Sequence, residues 1–254
     1  MILDSFRLDG KVALVTGSSR GLGQGAALAF AEAGADVALL DRVEPEETIA
    51  QIEALGRRAY AVTLDLIAAT PEDIHAAIDE IVENLGSLDI VVNNAGIIRR
   101  HPAIDHPAQD WDDVLKINLD AVFHITQAAG KHMLPKGYGR IINIASMLSF
   151  QGGILVPGYT ASKHAVAGIT KSFANEWAAS GVTVNAVAPG YMATDNTAPI
   201  RADEDRANSI LSRIPQGRWG TPADLQGAFV FLASEAASYV TGAILPVDGG
   251  WLVR

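Results

Sequence analysis

A tyrosine and a lysine at helical spacing are the first candidates for chemistry in this sequence. Tyr159 and Lys163 are four positions apart in a predicted helix, so their side chains share one face of it. A free phenol has a pKa of about 10, which is too high for a base at neutral pH, but a neighbouring ammonium group favours the phenolate. Ser146 follows a predicted strand, and its hydroxyl can donate to a carbonyl oxygen. The three residues indicate proton transfer at an alcohol or a ketone, although such a Tyr–Lys pair is more often a packed ring and a solvated amine.

A glycine-rich turn near the start of the chain indicates a phosphate site. Residues 12–15 are apolar, which is typical of a buried parallel strand, and residues 24–33 are rich in helix formers. The glycines between them allow the backbone to turn tightly and to approach a ligand closely. The following helix offers free N–H groups and a positive dipole end to a phosphate. Alone, the turn is equally consistent with a tight connection that binds nothing.

Strands and helices alternate along the sequence. We predict strands at residues 12–15, 35–41, 58–63, 89–92, 140–145, 183–187 and 243–247, and helices at 24–33, 46–55, 70–85, 109–132, 159–179 and from about 221. This alternation predicts an α/β fold, a Rossmann-type doubly wound parallel sheet with helices on both faces. No linker divides the 254 residues, so we expect one dinucleotide-binding and catalytic domain. Residues 191–217 break the alternation with two prolines and many charges, and we expect them to form a substrate lid.

The composition excludes several classes of protein. The chain is 49% apolar, has no cysteine and carries a formal net charge of −10. Without cysteine it has no disulfide and no thiolate catalyst or metal ligand, which suits a reducing cytoplasm. An acidic chain without a basic run is a poor partner for nucleic acid, and no apolar stretch approaches the roughly 20 residues that cross a membrane. We therefore expect a cytoplasmic protein with no bound metal, in which an anionic ligand needs a local basic pocket.

Several motifs occur together in one order along the chain. They are residues 16–23 (TGSSRGLG), residues 93–96 (NNAG), Asn118, Ser146, the Tyr159–Lys163 pair and residues 189–194 (PGYMAT). In this combination the whole sequence resembles the short-chain dehydrogenases/reductases. The resemblance implies an oxidoreductase with a nicotinamide cofactor and a homotetrameric assembly. It implies that Tyr159 is the general acid/base, with Lys163 lowering its pKa and holding the ribose. Ser146 would polarise the substrate carbonyl, and Asn118 would hold a water of the proton relay.

The same resemblance assigns the cofactor to residues near the ends of several strands. The glycine turn would hold the pyrophosphate, Asp65 and Leu66 would flank the adenine, and Thr194 would hold the carboxamide. The family often has valine at the position of Leu66, a small change in an apolar contact. The expected cofactor residues are Gly17, Ser19, Arg20, Gly21, Leu22, Gly23, Asp41, Asp65, Leu66, Asn93, Ala95, Gly96, Tyr159, Lys163, Pro189, Gly190, Met192 and Thr194.

The choice between NAD and NADP depends on charges around the second predicted strand. Asp41 ends that strand 18 positions after Gly23, where a carboxylate can bind both ribose hydroxyls and repel a 2′-phosphate. This position favours NAD as the cofactor. Arg20 and Arg42 could accept the phosphate instead, so NADP remains the alternative.

Other segments resemble the members of this family that act on sugar acids. They are residues 93–100 (NNAGIIRR), 144–153 (IASMLSFQGG), 188–194 (APGYMAT) and 213–220 (RIPQGRWG). The resemblance implies a keto-sugar acid as substrate, and 2,5-diketo-3-deoxygluconate of uronate (pectin) breakdown is the expected one. Arg100 is the predicted carboxylate ligand, Arg99 is the alternative, and Gln151 is a candidate for a sugar hydroxyl. We expect the arginines of the predicted lid to be surface residues: Arg201, Arg206 and Arg213.

Three alternatives to this function remain open. The substrate could be 5-keto-gluconate or a 3-oxoacyl thioester, although we see no obvious basic patch that would dock an acyl carrier protein. The protein could also be a regulator that binds the nicotinamide cofactor without turnover. Such a regulator would not need the proton-transfer groups of Ser146, Tyr159 and Lys163.

Overall fold

One parallel sheet forms the centre of the fold. The computed structural model describes residues 1–254. Its strands are β1 (Val12–Thr16), β2 (Asp36–Asp41), β3 (Ala59–Thr63), β4 (Ile90–Asn93), β5 (Gly139–Ile144), β6 (Val182–Pro189) and β7 (Ile244–Val247). They lie in the order β3-β2-β1-β4-β5-β6-β7, and all neighbouring pairs are parallel. The order reverses between β1 and β4, and ligands of such sheets bind beyond the carboxyl ends of the strands at this point.

Helices cover both faces of the sheet. They are α1 (Gly21–Glu32), α2 (Glu46–Ala54), α3 (Pro71–Leu85), α4 (Ala108–Leu115), α5 (Ala121–Lys136), α6 (Pro157–Trp177), α7 (Ala198–Arg201), α8 (Glu204–Leu211) and α9 (Ala223–Ala233). Ile78 of α3 and Ile125 of α5 are buried in one apolar cluster. Phe30 of α1 and Phe229 of α9 are buried in a second cluster. The prediction of a Rossmann-type α/β fold is therefore confirmed, with each predicted strand within two residues of its observed ends. None of the helices is both long enough and apolar enough to span a bilayer.

Local sequence signals explain where the helices begin and end, and α3 is a clear example. The hydroxyl of Thr70 accepts a hydrogen bond from the backbone N–H of Asp73, and the Asp73 carboxylate accepts one from Thr70 N. Pro71 follows in the first turn, where its missing N–H costs nothing. The helix ends at Gly86, whose φ of 86° lies in the left-handed region that glycine tolerates.

The helix predicted over residues 109–132 is interrupted. A π-helical turn at Lys116–Asp120 separates α4 from α5. Within it Asn118 is fully buried, and its side-chain amide bonds the main chain of Ile97 on the loop after β4. The hydrophobic pattern does not reveal this turn, because the contact that it forms is to a distant segment. Single π turns inside helices occur frequently at functional sites.

The 191–217 segment lies against the loop that follows β5. It contains a short helical turn at Asp195–Thr197 and then α7 and α8. Ile210 and Ile214 of this segment are buried with Met147 and Trp251 in a small apolar cluster. Met147 directly follows Ser146, so this cluster holds the segment beside the predicted catalytic residues.

Candidate active site

The predicted catalytic residues meet beyond the carboxyl end of β5. Tyr159 lies in the first turn of α6, and Ser146 follows β5 as the cap of a short helical turn. Burial raises the pKa of the Tyr159 phenol, while the nearby Ser146 hydroxyl and the charge of Arg100 lower it. The arrangement can exchange a proton with an oxygen placed between the Tyr159 and Ser146 hydroxyls.

Lys163 lies one helical turn beyond Tyr159 but makes its hydrogen bond elsewhere. Its ammonium group is buried and donates to the carbonyl oxygen of Ile144, with an N···O distance of 2.6 Å. The same nitrogen is 5.5 Å from the centroid of the Tyr159 ring. Burial lowers the pKa of Lys163 to about 8. In this structure Ser146 and Arg100 are the groups that lower the pKa of Tyr159.

Asn118 fixes the loop that follows β4 and carries Arg100. Its Oδ1 accepts from Ile97 N at 2.9 Å, and its Nδ2 donates to Ile97 O at 3.0 Å and to the Ser162 hydroxyl at 3.2 Å. A Cβ at Gly96 would lie 2.9 Å from that Oδ1. Gly96 is therefore required for the close approach of Asn118, which explains one predicted cofactor residue by packing.

The glycine turn is tight enough to require glycine at several positions. Gly17 and Gly21 have φ values of 64° and 60°, which favour glycine. A Cβ at Gly23 would lie 2.0 Å from the carbonyl oxygen of Gly17, so only glycine fits where α1 begins. Asn94 donates from Nδ2 to Thr16 O and Gly17 O, at 2.9 and 3.0 Å. Our sequence reasoning did not select Asn94 individually, although it lies within the NNAG motif.

Asp41 lies directly beside the glycine turn. One carboxylate oxygen accepts from Ser19 N at 2.9 Å and the other from Arg42 N at 2.8 Å. The guanidinium of Arg20 pairs with Asp195 of the 191–217 segment at 2.9 Å, and both side chains are exposed. Asp41 and Arg20, two of the residues considered for cofactor discrimination, therefore both contact neighbours at or beside the glycine turn.

Some predicted cofactor residues already have partners within the protein. The Asn93 amide is buried and donates to side chains on β5 and α5. Leu66 and Met192 are buried in apolar clusters. Asp65 is exposed and accepts from a main-chain N–H two residues on. The Thr194 main chain caps a helical turn. The rest lie in the glycine turn and the first turn of α1, just beyond β4, or at the end of β6: Ser19, Leu22, Ala95, Pro189 and Gly190.

A cavity of about 260 Å³ opens in front of Tyr159 and Ser146. Arg100 and Gln151, the two residues predicted to bind substrate, both line it. Its charged lining residues are Arg100, Arg206 and Arg213, and no acidic residue lines it. Arg206 and Arg213 are exposed, as expected for surface residues, but they also line this cavity. Sequence alone could not show this second property, because it depends on where the 191–217 segment packs.

The structure also separates the two neighbouring arginines after β4. Arg99 pairs with Asp110 on α4 through an N···O distance of 3.3 Å, and His101 bonds the other oxygen of Asp110 at 2.6 Å. Arg100, between them, lines the cavity and donates to Asn196 O at 2.9 Å. Of the two candidates for the carboxylate ligand, only Arg100 lines the cavity.

Comparison with known proteins identifies the class to which this site belongs. The family profile described as enoyl-(acyl carrier protein) reductase matches residues 17–252. Together with the parallel sheet and the Ser–Tyr–Lys arrangement, the similarities establish that the chain belongs to the short-chain dehydrogenases/reductases. It is an NAD(P)-dependent oxidoreductase acting on a CH–OH group, so the alternative of a regulator without turnover is excluded.

Individual relatives are similar over the full length. The 2-dehydro-3-deoxy-D-gluconate 5-dehydrogenase of Bacillus subtilis (strain 168) is 58% identical over 99% of this chain and 98% of its own. The protein of the same name from Escherichia coli (strain K12) is 56% identical over 100% of both chains. A crystal structure from Agrobacterium tumefaciens, provisionally named a 2-deoxy-D-gluconate 3-dehydrogenase and holding NADP, is 53% identical, with a TM-score of 0.92 over 98% of this chain and 99% of that one.

Proposed function

We propose that the enzyme interconverts 2-dehydro-3-deoxy-D-gluconate and its 2,5-diketo partner, as a step of uronate breakdown. The observation that carries the proposal is the position of Arg100, which lines one cavity together with Tyr159 and Ser146. A carboxylate held by Arg100 would leave a carbon of the same short acid beside the Tyr159 hydroxyl. The names of the relatives that are 56–58% identical support the same substrate.

The test is a panel of purified keto acids with reduced cofactor, followed by nicotinamide absorbance. We expect the highest kcat/KM for the 2,5-diketo acid. If 5-keto-gluconate or a 3-oxoacyl thioester is reduced well while the diketo acid is ignored, the proposed substrate is wrong. The thioester remains the weaker alternative, because the cavity is lined by arginines that suit a free carboxylate.

The chain's own residues supply the proton chemistry. A bound nicotinamide supplies or accepts the hydride. In oxidation the Tyr159 phenolate takes the hydroxyl proton, and in reduction the Tyr159 phenol gives a proton to the developing alkoxide. The Ser146 hydroxyl donates to the carbonyl oxygen, and Lys163 holds the ribose of the cofactor. The Asn118 amide already bonds Ile97 and Ser162, so its main-chain carbonyl is the group we assign to the relay water.

We propose NAD as the preferred cofactor, with NADP usable. The support is Asp41, whose carboxylate lies beside Ser19 in the glycine turn, where a 2′-phosphate would be repelled. Arg20 is paired with Asp195, which reduces its availability for a phosphate. The crystal structure of a relative that is 53% identical contains bound NADP, which favours NADP instead.

Replacing Asp41 tests this choice. Asp41→Asn keeps an acceptor for Ser19 N but removes the charge, so we expect KM for NAD to rise and KM for NADP to fall. The ratio of kcat/KM values should shift toward NADP by about tenfold, the effect of one charged hydrogen bond. Steady-state kinetics with both cofactors measures it, and Arg42→Gln is the control that should shift the ratio the opposite way. A wild-type enzyme that clearly prefers NADP would contradict the NAD proposal.

Asp110 provides a second test of the substrate site. Because it holds Arg99 and His101 on either side of Arg100, Asp110→Asn should free this loop and misplace the Arg100 guanidinium. We expect KM for the keto acid to rise by about three- to tenfold with kcat nearly unchanged, since misplacement weakens a charged hydrogen bond. Asp112→Asn is the matched control, because it removes the same charge from an exposed position on the same helix. A fall in kcat with unchanged KM would mean that Asp110 supports the catalytic residues instead.

Three further properties are proposed from the family resemblance. We propose that the 191–217 segment is a lid over the cavity within a single catalytic domain. We also propose a homotetramer and a cytoplasmic location. Analytical ultracentrifugation of the purified protein tests the assembly, and a dimer or monomer mass would contradict it.

A further inference from the structure

The cavity carries more positive charge than one carboxylate requires. Three arginines line it without any acidic residue, although the chain as a whole has a formal net charge of −10. The proposed substrate has one carboxylate, and Arg100 alone can bind it in a bidentate manner. Like charges in a half-enclosed cavity repel one another when no counter-charge is present. Arg206 and Arg213 therefore have no partner in the proposed reaction.

Two neighbouring parts of the 191–217 segment carry these two arginines. Arg206, Ser209 and Ile210 share one face of α8, and Arg213 lies in the turn that follows the helix. All four residues line the cavity. Ile210 is buried against the body of the protein, which orients this face. The Arg213 guanidinium lies 3.9 Å over the ring of Trp251, so its position is partly fixed before a ligand arrives.

The arginines differ in their distance from the reacting centre. Burial raises the pKa values of both Tyr159 and Tyr191, and the charge of Arg100 lowers both. Arg206 and Arg213 lower only that of Tyr191. The contacts agree with this difference, because the Arg213 guanidinium lies over Trp251, whose ring packs against Tyr191 at a centroid distance of 4.8 Å. Arg213 therefore lies on the Tyr191 side of the cavity.

We propose that Arg206, Ser209 and Arg213 form a second anion subsite, so that the enzyme also acts on hydroxy- and keto-diacids of sugar size. This extension rests on the proposed function, in which Arg100 binds the first carboxylate. The second carboxylate binds between the lid arginines. In the oxidation, the secondary alcohol loses a hydride to the oxidised nicotinamide and its hydroxyl proton to Tyr159. A ketone and reduced cofactor result, and both carboxylates are unchanged.

The test compares D-gluconate with D-glucarate, which share one carbon skeleton and differ only in a terminal hydroxymethyl or carboxylate group. Competition against the keto-acid reaction gives their inhibition constants, and reduced-nicotinamide absorbance gives their oxidation. We expect glucarate to bind about tenfold more tightly and to be oxidised, since it adds a charged contact. In Arg206→Gln and Arg213→Gln the two constants should become nearly equal.

Arg201→Gln is the matched control, because Arg201 lies in the same segment, bonds Thr194 O and does not line the cavity. It should keep the preference for glucarate, although it loses the same charge. Any of three results would overturn the proposal. Both acids could inhibit the wild type equally, the preference for glucarate could survive in the Arg206 and Arg213 variants, or glucarate could bind without being oxidised.

The same experiment separates the subsite from the proposed function. If the diketo acid is a poor substrate, competition is measured against whichever keto acid of the panel is reduced. Tight, lid-dependent glucarate binding in that case would leave the subsite standing while the proposed substrate fails. Good reduction of the diketo acid without a preference for glucarate would support the proposed substrate and refute the second anion subsite.

Discussion

Tyr159→Phe should abolish most of the turnover while leaving the fold and cofactor binding intact. The phenol lies in the first turn of α6 close to the Ser146 hydroxyl, and it is the group assigned to exchange the proton. General acid–base groups contribute roughly 10²–10⁴-fold to rates, so kcat should fall by at least that order. Steady-state kinetics measures the loss, and quenching of tryptophan fluorescence on cofactor addition measures binding.

Tyr191 supplies the matched control for this prediction. It lines the same cavity, and burial raises its pKa as well. Its ring packs against Trp219 and Trp251 at centroid distances of 5.4 and 4.8 Å, so Tyr191→Phe keeps the packing. We expect its kcat to stay within about threefold of wild type, because the proton is assigned to Tyr159. Near-normal turnover in Tyr159→Phe, or an equal loss in both variants, would refute the acid/base assignment.

The position of the catalytic residues follows from signals that act locally. Each predicted strand is short and mostly apolar, and the parallel order then brings Gly17, Asp41 and Ser146 to the same edge of the sheet. Gly23 could be identified because its spacing reflects a backbone contact within the same turn. The shared location of these candidate residues could be predicted because it depends on strand ends rather than on side-chain direction.

Side-chain direction is what the sequence could not supply. Arg99 and Arg100 are adjacent and chemically identical, and only Asp110, in another element, separates their roles. Arg206 and Arg213 have charged side chains typical of the surface, but the pattern does not say whether they also line a cavity.

The sequence also did not predict the hydrogen-bond partners of two further residues, Lys163 and Asn118. The predicted pairing of Lys163 with Tyr159 followed from helical spacing, yet the Lys163 ammonium bonds Ile144 O on β5. The π turn at Asn118 likewise depends on the loop after β4. In each case a tertiary contact determines the hydrogen bond or the turn, and the local hydrophobic periodicity carries no information about it.

Replacing Arg100 should separate acid recognition from catalysis. Arg100→Met keeps an unbranched, flexible stem similar to that of arginine and removes the charged guanidinium group. Losing a charged hydrogen-bond partner costs about 1.5–3 kcal/mol, so KM for the keto acid should rise about tenfold or more. A small neutral ketone, measured at the pH plateau, should be reduced with nearly unchanged kcat/KM.

The same variant should move the pH profile of oxidation. The Arg100 charge lowers the pKa of Tyr159, against the larger effect of burial, which raises it. Oxidation needs the phenolate, so the rate rises with pH through this pKa. Removing the positive charge raises the pKa, and the rising limb should therefore move to higher pH. An unchanged profile together with equal losses on the acid and the neutral ketone would mean that Arg100 shapes the loop through its bond to Asn196 O and binds no carboxylate.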